Sequence, residues 1–306
     1  MQRFIVIRFI HCVVALLIFS MVVFGLIRLG GDPALRFMSS DSTQEEYQYI
    51  KKQLGLDRPL YVQYGIFLTD VIKGDFGTSI FTKRHVMDSI KEMLPNSLRL
   101  IAASALIAFL VAIPLGVMAA VRKGTFVDVL ARVIAGLGQS FPSFWIGLMM
   151  IQVFAVKLGL LPTSGMGSWR HYVMPATCLA IFLIPGPIRL LRSSMLEALD
   201  SEYITLARIK GVSERLVVWK HALRNSLLPV ISFSAMYIAM LVTGAIVIET
   251  VFAWSGMGRL AYRAIVSQDF PVIQGVVMIT AVIVIGANFF VDILYCYLDP
   301  RIRLKA

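Results

Sequence analysis

Six stretches of this chain are apolar for about the length a helix needs to cross a bilayer, roughly 20 residues for a hydrocarbon core about 30 Å thick. They lie near residues 9–29, 97–121, 132–156, 172–192, 228–250 and 272–298. A soluble core cannot absorb that much. Of 306 residues, 58% are apolar and 15% charged, against roughly 45–50% and about 25% in soluble domains. The composition also excludes a disordered chain, a collagen-like fibre and a disulfide scaffold. Cys12, Cys178 and Cys296 sit inside apolar runs and read as small hydrophobes. The expected fold is an all-α integral membrane protein with six transmembrane helices. Arg3 and Arg8 before the first run suggest a signal peptide, but Phe9–Ile27 is too long for an h-region and no A-x-A-like site follows, so the span is expected to be retained. Pro175, Pro185, Gly186 and Pro187 interrupt the fourth stretch. Prolines are tolerated where neighbouring helices re-satisfy freed carbonyls, so that span is expected away from lipid.

Charge sets the expected orientation. With both termini in the cytoplasm, fifteen Lys/Arg fall inside: Arg3, Arg8, Arg122, Lys123, Arg132, the seven from Arg189 to Arg224, and Arg301, Arg303 and Lys305. The two short outer loops hold four, Lys157, Arg170, Arg259 and Arg263. The long loop after the first span does not vote, because segments of that size translocate regardless of charge. The net charge of +11 is then positive-inside charge beside an anionic leaflet, with no nucleic acid required.

This divides the chain into the N-terminus and first span (1–29), an external amphipathic segment (30–96), a transmembrane core (97–298) and a cytoplasmic tail (299–306). In the external segment, Asp41 or Ser42 is expected to cap a helix through Glu45, Tyr49 and Leu54, stopped by Gly55. A second helix should start at Pro59, carry Leu60, Tyr61, Tyr64, Phe67, Leu68, Val71 and Ile72 at helical spacing, and stop at Gly74. A third, short one is expected over Val86–Met93, ended by Pro95.

Between the fourth and fifth spans, residues 193–227 predict a cytoplasmic elbow. One helix approaches Gly211, whose freedom permits a left-handed or closely approached backbone. A second runs over Ser213–Leu227 with Ser213 as cap, with Leu216, Trp219, Leu223 and Leu227 on one side. Such a helix either docks in a groove or lies on the membrane surface.

The sequence has no G-x-x-x-x-G-K-[ST], so energy from ATP would have to come from a partner. H-E-x-x-H and C-x-x-C are absent as well, and the four histidines are scattered. Glu249 and Asp292 lie near span ends, where capping or interhelical bonding explains them. An ion-coupled secondary transporter, the main alternative, would need ionisable groups near the midplane, and a membrane-embedded enzyme would need a His/Asp/Glu cluster on facing helices.

The elbow carries Leu199-Asp200-Ser201-Glu202-Tyr203-Ile204, Ala207-Arg208-Ile209-Lys210-Gly211-Val212-Ser213-Glu214, His221-Ala222-Leu223-Arg224-Asn225 and Leu227-Leu228-Pro229. Further stretches are Gly31-Asp32-Pro33, Gln53-Leu54-Gly55-Leu56-Asp57, Gly74-Asp75-Phe76-Gly77, Ile248-Glu249-Thr250-Val251-Phe252, Asp269-Phe270-Pro271-Val272-Ile273-Gln274-Gly275 and Asp299-Pro300-Arg301-Ile302-Arg303. In this order they resemble the permease subunits of bacterial ABC importers of the dipeptide/oligopeptide/nickel group. The elbow and Trp169-Arg170-His171-Tyr172 look closest to its glutathione-importer branch.

The resemblance implies a bacterial inner-membrane subunit that is not itself an enzyme. Its partners would be a second homologous permease, two cytoplasmic ATPase subunits that hold ATP and Mg, an external solute-binding protein, and lipid. It implies no cofactor on this chain. By the same resemblance, Tyr203, Ala207, Arg208, Lys210, Gly211 and Glu214 form the ATPase-coupling elbow. Ala207 and Gly211 would be small so that it packs closely, and Arg208, Lys210 and Glu214 would make polar contacts. The pattern departs from the general importer signature, which begins Glu-Ala-Ala where this chain has Thr205-Leu206-Ala207. The proline also lies further from the glycine than in sugar importers.

Overall fold

The structure is a computed structural model that describes residues 2–29, 43–53, 55–138 and 140–298. Gly31-Asp32-Pro33, the caps expected at Asp41 or Ser42, Leu54, and the 299–306 tail with its Asp-Pro-Arg motif lie outside the described residues. The described residues are almost all helical, with a single isolated bridge, Thr78 to His85, and no strand.

Helix α1 (Gln2–Leu29) is followed by α2 (Gln44–Gln53) and α3 (Leu60–Lys73). Thr43 and Glu46 form a capping box at the start of α2: the Thr43 amide donates to Glu46 Oε2 at 3.1 Å, and the Glu46 amide donates to Thr43 Oγ1 at 3.3 Å. Gly55, with φ +64°, follows α2 as expected. Pro59 is the residue before α3 rather than its first, and Gly74 closes α3 in the left-handed conformation.

The third short helix does not exist as a separate element. Helix α4 runs unbroken over Val86–Val121, passing both Pro95 and Pro114. Pro95 removes one amide and leaves the carbonyl of Lys91 without its helical partner. That turn is exposed, whereas Asn96 and Ser97 just beyond it are bonded to the 249–257 region, so the helix is held through the proline. At 36 residues, α4 is about 54 Å long.

The third apolar stretch is broken. α5 (Phe126–Leu137) and α6 (Ser143–Met150) are separated at 138–142, and α6 continues as a π-helical segment, Ile151–Lys157. Pro142, with ψ 140°, is extended and lacks an amide, so the helix stops and restarts there. The fourth stretch is a bent pair, α7 (Trp169–Leu183) and α8 (Pro185–Leu199), meeting at 44°. Then come α9 (Glu202–Ile209), α10 (Leu223–Val251), α11 (Met257–Ser267) and α12 (Phe270–Leu298). Among the described residues, α1, α4 and α12 are long and apolar enough to cross a membrane, and the α7–α8 pair passes as one bent span.

The centre of the bundle is α4 against α7 and α8, with α10 packed on α8 and α12. The α4 surface that faces them is small: Ser104, Ala108, Ala112 and Ala119 have no accessible surface. In lipid there is no hydrophobic drive between helices, so close backbone approach over small residues supplies the packing. α1 packs against α12 and α3 and exposes Phe9, Ile10, Ile18, Met21 and Leu26 on its outer side, as a lipid-facing helix does. One end of the bundle carries the elbow. The opposite end carries α2, α3 and α11.

Candidate functional site

The elbow starts where α8 ends at Asp200. Ser201 turns its hydroxyl back to the Ala198 carbonyl at 2.5 Å, and α9 begins at Glu202. At the far end of α9, the Gly211 amide donates to Arg208 O at 2.9 Å and the Val212 amide to Ala207 O at 3.1 Å. Gly211 has φ +78°, a conformation that strains an L-residue by about 1–2 kcal/mol. A Cβ built there meets nothing within 4 Å. Within this chain the glycine answers to its backbone angle, with no neighbour at the Cβ position. Ala207 is half-buried against the cluster that contains Ile204, Leu191, Met195 and Val217, so its small size does serve packing.

Arg208 and Glu214 find each other across the turn. Arg208 Nε donates to Glu214 Oε1 at 2.7 Å, and Nη2 is 3.5 Å from Oε2. Both are well exposed, so the pair contributes about 1 kcal/mol or less, but it closes the turn around Gly211. Tyr203 and Lys210 are exposed.

The second elbow helix differs from the expected separate Ser213–Leu227 segment. Ser213 occupies the capping position without a side-chain cap bond. A single turn, Glu214–Leu216, passes through the π-helical Val217–Ala222 directly into α10, past Pro229. The wider π turn rotates the apolar stripe. Leu223 is buried and Leu227 half-buried as expected, but Leu216 and Trp219 point outward while Val217, Val218 and Ala222 are buried. The elbow's free face thus carries Tyr203, Leu206, Ile209, Leu216 and Trp219, with Ile209 76% exposed.

Among the described residues, three buried carboxylates brace the bundle. Near the elbow, Asp128 in the first turn of α5 accepts from Arg192 Nε at 2.7 Å and Nη2 at 2.9 Å, and from the Gly124 amide at 3.0 Å. Arg132 Nε lies 3.5 Å away. The Arg192 bonds and the Gly124 amide satisfy both oxygens of the buried carboxylate. Sequence reading missed this pair, whose partners are 64 positions apart.

At the opposite end, Glu249 is fully buried. It accepts from Ser97 Oγ at 2.5 Å and from the amides of Gly258 at 2.7 Å and Arg259 at 3.1 Å, capping α11 and tying it to α4 and α10. Both expected roles, capping and interhelical bonding, are realised. Asp292 pairs with Arg8 of α1 at 3.4 Å. Asp269, unremarked as a side chain in the sequence, is buried and accepts from Ser79 Oγ at 2.5 Å and the Ile80 amide at 3.2 Å. A cavity of about 380 Å³ opens between α1, α3 and the start of α12, with Arg28, Gln63, Asp70 and Gln274 among its walls.

A bundle of apolar helices, braced by buried carboxylates that are satisfied by their neighbours and carrying an exposed elbow, has the architecture of an integral membrane protein. The family model described as "Binding-protein-dependent transport system inner membrane component" matches residues 112–304, and the corresponding N-terminal membrane-component model matches residues 1–101. The chain belongs to this family: it is a permease of a binding-protein-dependent ABC importer in the inner membrane. It is 38% identical over 306 residues, the whole of both chains, to the glutathione transport system permease protein GsiC of Salmonella paratyphi A. The Escherichia coli protein of the same name is 37% identical over the same length. An inward-facing structure of the MetNI methionine ABC transporter shares the fold with a TM-score of 0.51 at 18% identity, covering 68% of this chain and 97% of that one.

Proposed function

We propose that the chain forms half of a translocation pathway for peptides or a similar small solute, with a second homologous permease supplying the other half. Glutathione and metal chelates belong to the same solute range, and the full-length likeness to glutathione permeases favours a thiol tripeptide among them. Six spans cross the membrane with both termini in the cytoplasm. The third span is α5 with α6, and the fourth is α7 with α8. The external segment, with α2, α3 and the cavity beside them, faces the incoming binding protein. The elbow seats in a groove of a cytoplasmic ATPase subunit, where ATP and Mg are held.

The observation that carries this reading is the elbow's construction. Ile204, Val217 and Ala222 anchor it to the bundle, while Tyr203, Leu206, Ile209, Leu216 and Trp219 remain exposed beside the Arg208–Glu214 pair. Such a face suits a helix-in-groove contact. Gly211→Trp provides the test. A Cβ at that position meets nothing within 4 Å, and the indole is expected to project into the space the partner would fill. The expected result is that ATPase subunits co-purify with the native chain and are lost, or hydrolyse ATP without transport, with the variant. Solute movement down an ion gradient by the chain alone would overturn the reading.

A further inference from the structure

The third and fourth spans are broken at the same level, and their breaks interlock. A Cβ on Gly138, at the end of α5, would lie 2.7 Å from the Ile181 carbonyl and 2.9 Å from Pro185, where α7 bends into α8. The same bend holds Gly186 against the ring of Phe233 on α10. The far end of α5 is joined to the middle of α8 by the bidentate contact of Arg192 with Asp128. Asp128 is ten residues from Gly138, about 15 Å of helix, and Arg192 is seven from Pro185, about 10 Å. The long arginine side chain spans the difference. α5 is therefore tied to α8 at two levels, and α8 continues past Arg192 through Asp200 and Ser201 into the elbow. On its inner side α8 meets small residues of α4: Leu191 lies over Gly116, with Ala119 and Ala120 in the next turn. A smooth surface of that kind suits shear between packed helices.

We propose that Asp128 and Arg192 are positioning residues for transport, welding α5 and α8 into one lever that swings about the paired breaks at 138–142 and 183–187. The lever carries motion of the elbow into the bundle, and in this it rests on the elbow reading given above. Breaking the weld leaves the elbow able to move while the third span no longer follows.

The test uses the complete complex in lipid, with the native cysteines replaced and pairs of spin labels on exposed positions. One pair, Phe126 with Glu197, lies within the lever. A second, Phe126 with Val156, crosses the break. Between nucleotide-free and ATP-bound states, the first distance is expected to stay fixed and the second to shift. In Asp128→Asn, the ATP-driven shift across the break is expected to vanish, and solute moved per ATP hydrolysed to fall by about fivefold or more. The doubly exchanged Asp128→Arg, Arg192→Asp chain is expected to restore both. A within-lever distance that changes as much as the other overturns the lever, and the native measurement decides this even where Asp128→Asn does not assemble. An unaltered shift in assembled Asp128→Asn overturns the weld. If neither distance responds to ATP and no ATPase subunit cross-links to Leu206→Cys, the elbow reading has failed, and the lever with it.

Discussion

Three glycines separate two kinds of constraint that the sequence alone cannot tell apart. At Gly211 the demand is angular, and Gly211→Ala is expected to cost about 1–2 kcal/mol with no steric conflict. At Gly258 the demand is spatial, since a Cβ would lie 2.5 Å from Ile246 Cα, and at Gly256 it would lie 2.5 Å from the Glu249 carboxyl. Gly258→Ala should therefore lower the thermal midpoint far more than Gly211→Ala when both are unfolded in the same detergent. Ser97→Ala leaves the Met257 amide and one Glu249 oxygen without their partner in a buried site, with an expected loss of about 1–3 kcal/mol.

Among the elements, those read well from sequence have their stop written into the backbone. Gly55 and Gly74 are left-handed where the helical pattern runs out, whereas Pro142, whose extended geometry cannot continue a helix, breaks a stretch that reads as one continuous span. Pro95 and Pro229 carry the same chemical signal, yet α4 and α10 run through them. The difference is tertiary: the turns that lose a bond are exposed, and the residues beyond are fastened elsewhere. The π turns at Val217–Ala222 and Ile151–Lys157 leave no periodic trace, which is why the four residues that read as one apolar side divide, Leu216 and Trp219 exposed and Leu223 buried. Glu249 is legible as a capping or interhelical bonding group near a water-accessible interface, but it is fully buried instead, and its donors are not legible, because two are backbone amides of α11. The six-span arrangement makes a direct prediction at this scale. Alkaline phosphatase fused after Lys52 or Leu160 should be active, and fused after Lys123 or Lys210 inactive. The opposite pattern would reverse the orientation.

The whole molecule offers large surfaces that neither water nor its own core claims. α1, α4, α5 and α6 expose rows of large apolar side chains, among them Phe9, Leu106, Leu110, Val129, Phe144 and Trp145. Lipid and a neighbouring permease would cover them, so the chain extracted alone should self-associate in mild detergent and become monodisperse when co-expressed with its partner permease. With no P-loop anywhere in the sequence, the isolated chain is expected to bind no fluorescent ATP analogue, and hydrolysis should appear only with ATPase subunits added.

The pairing of α1 with α12 has a consequence for how the protein is made. Phe9 meets Phe289, and Arg8 meets Asp292, so the first helix to leave the ribosome, with α3 beside it meanwhile, waits for the last to complete its packing. A chain halted before Asp292 would leave Arg8 without its carboxylate.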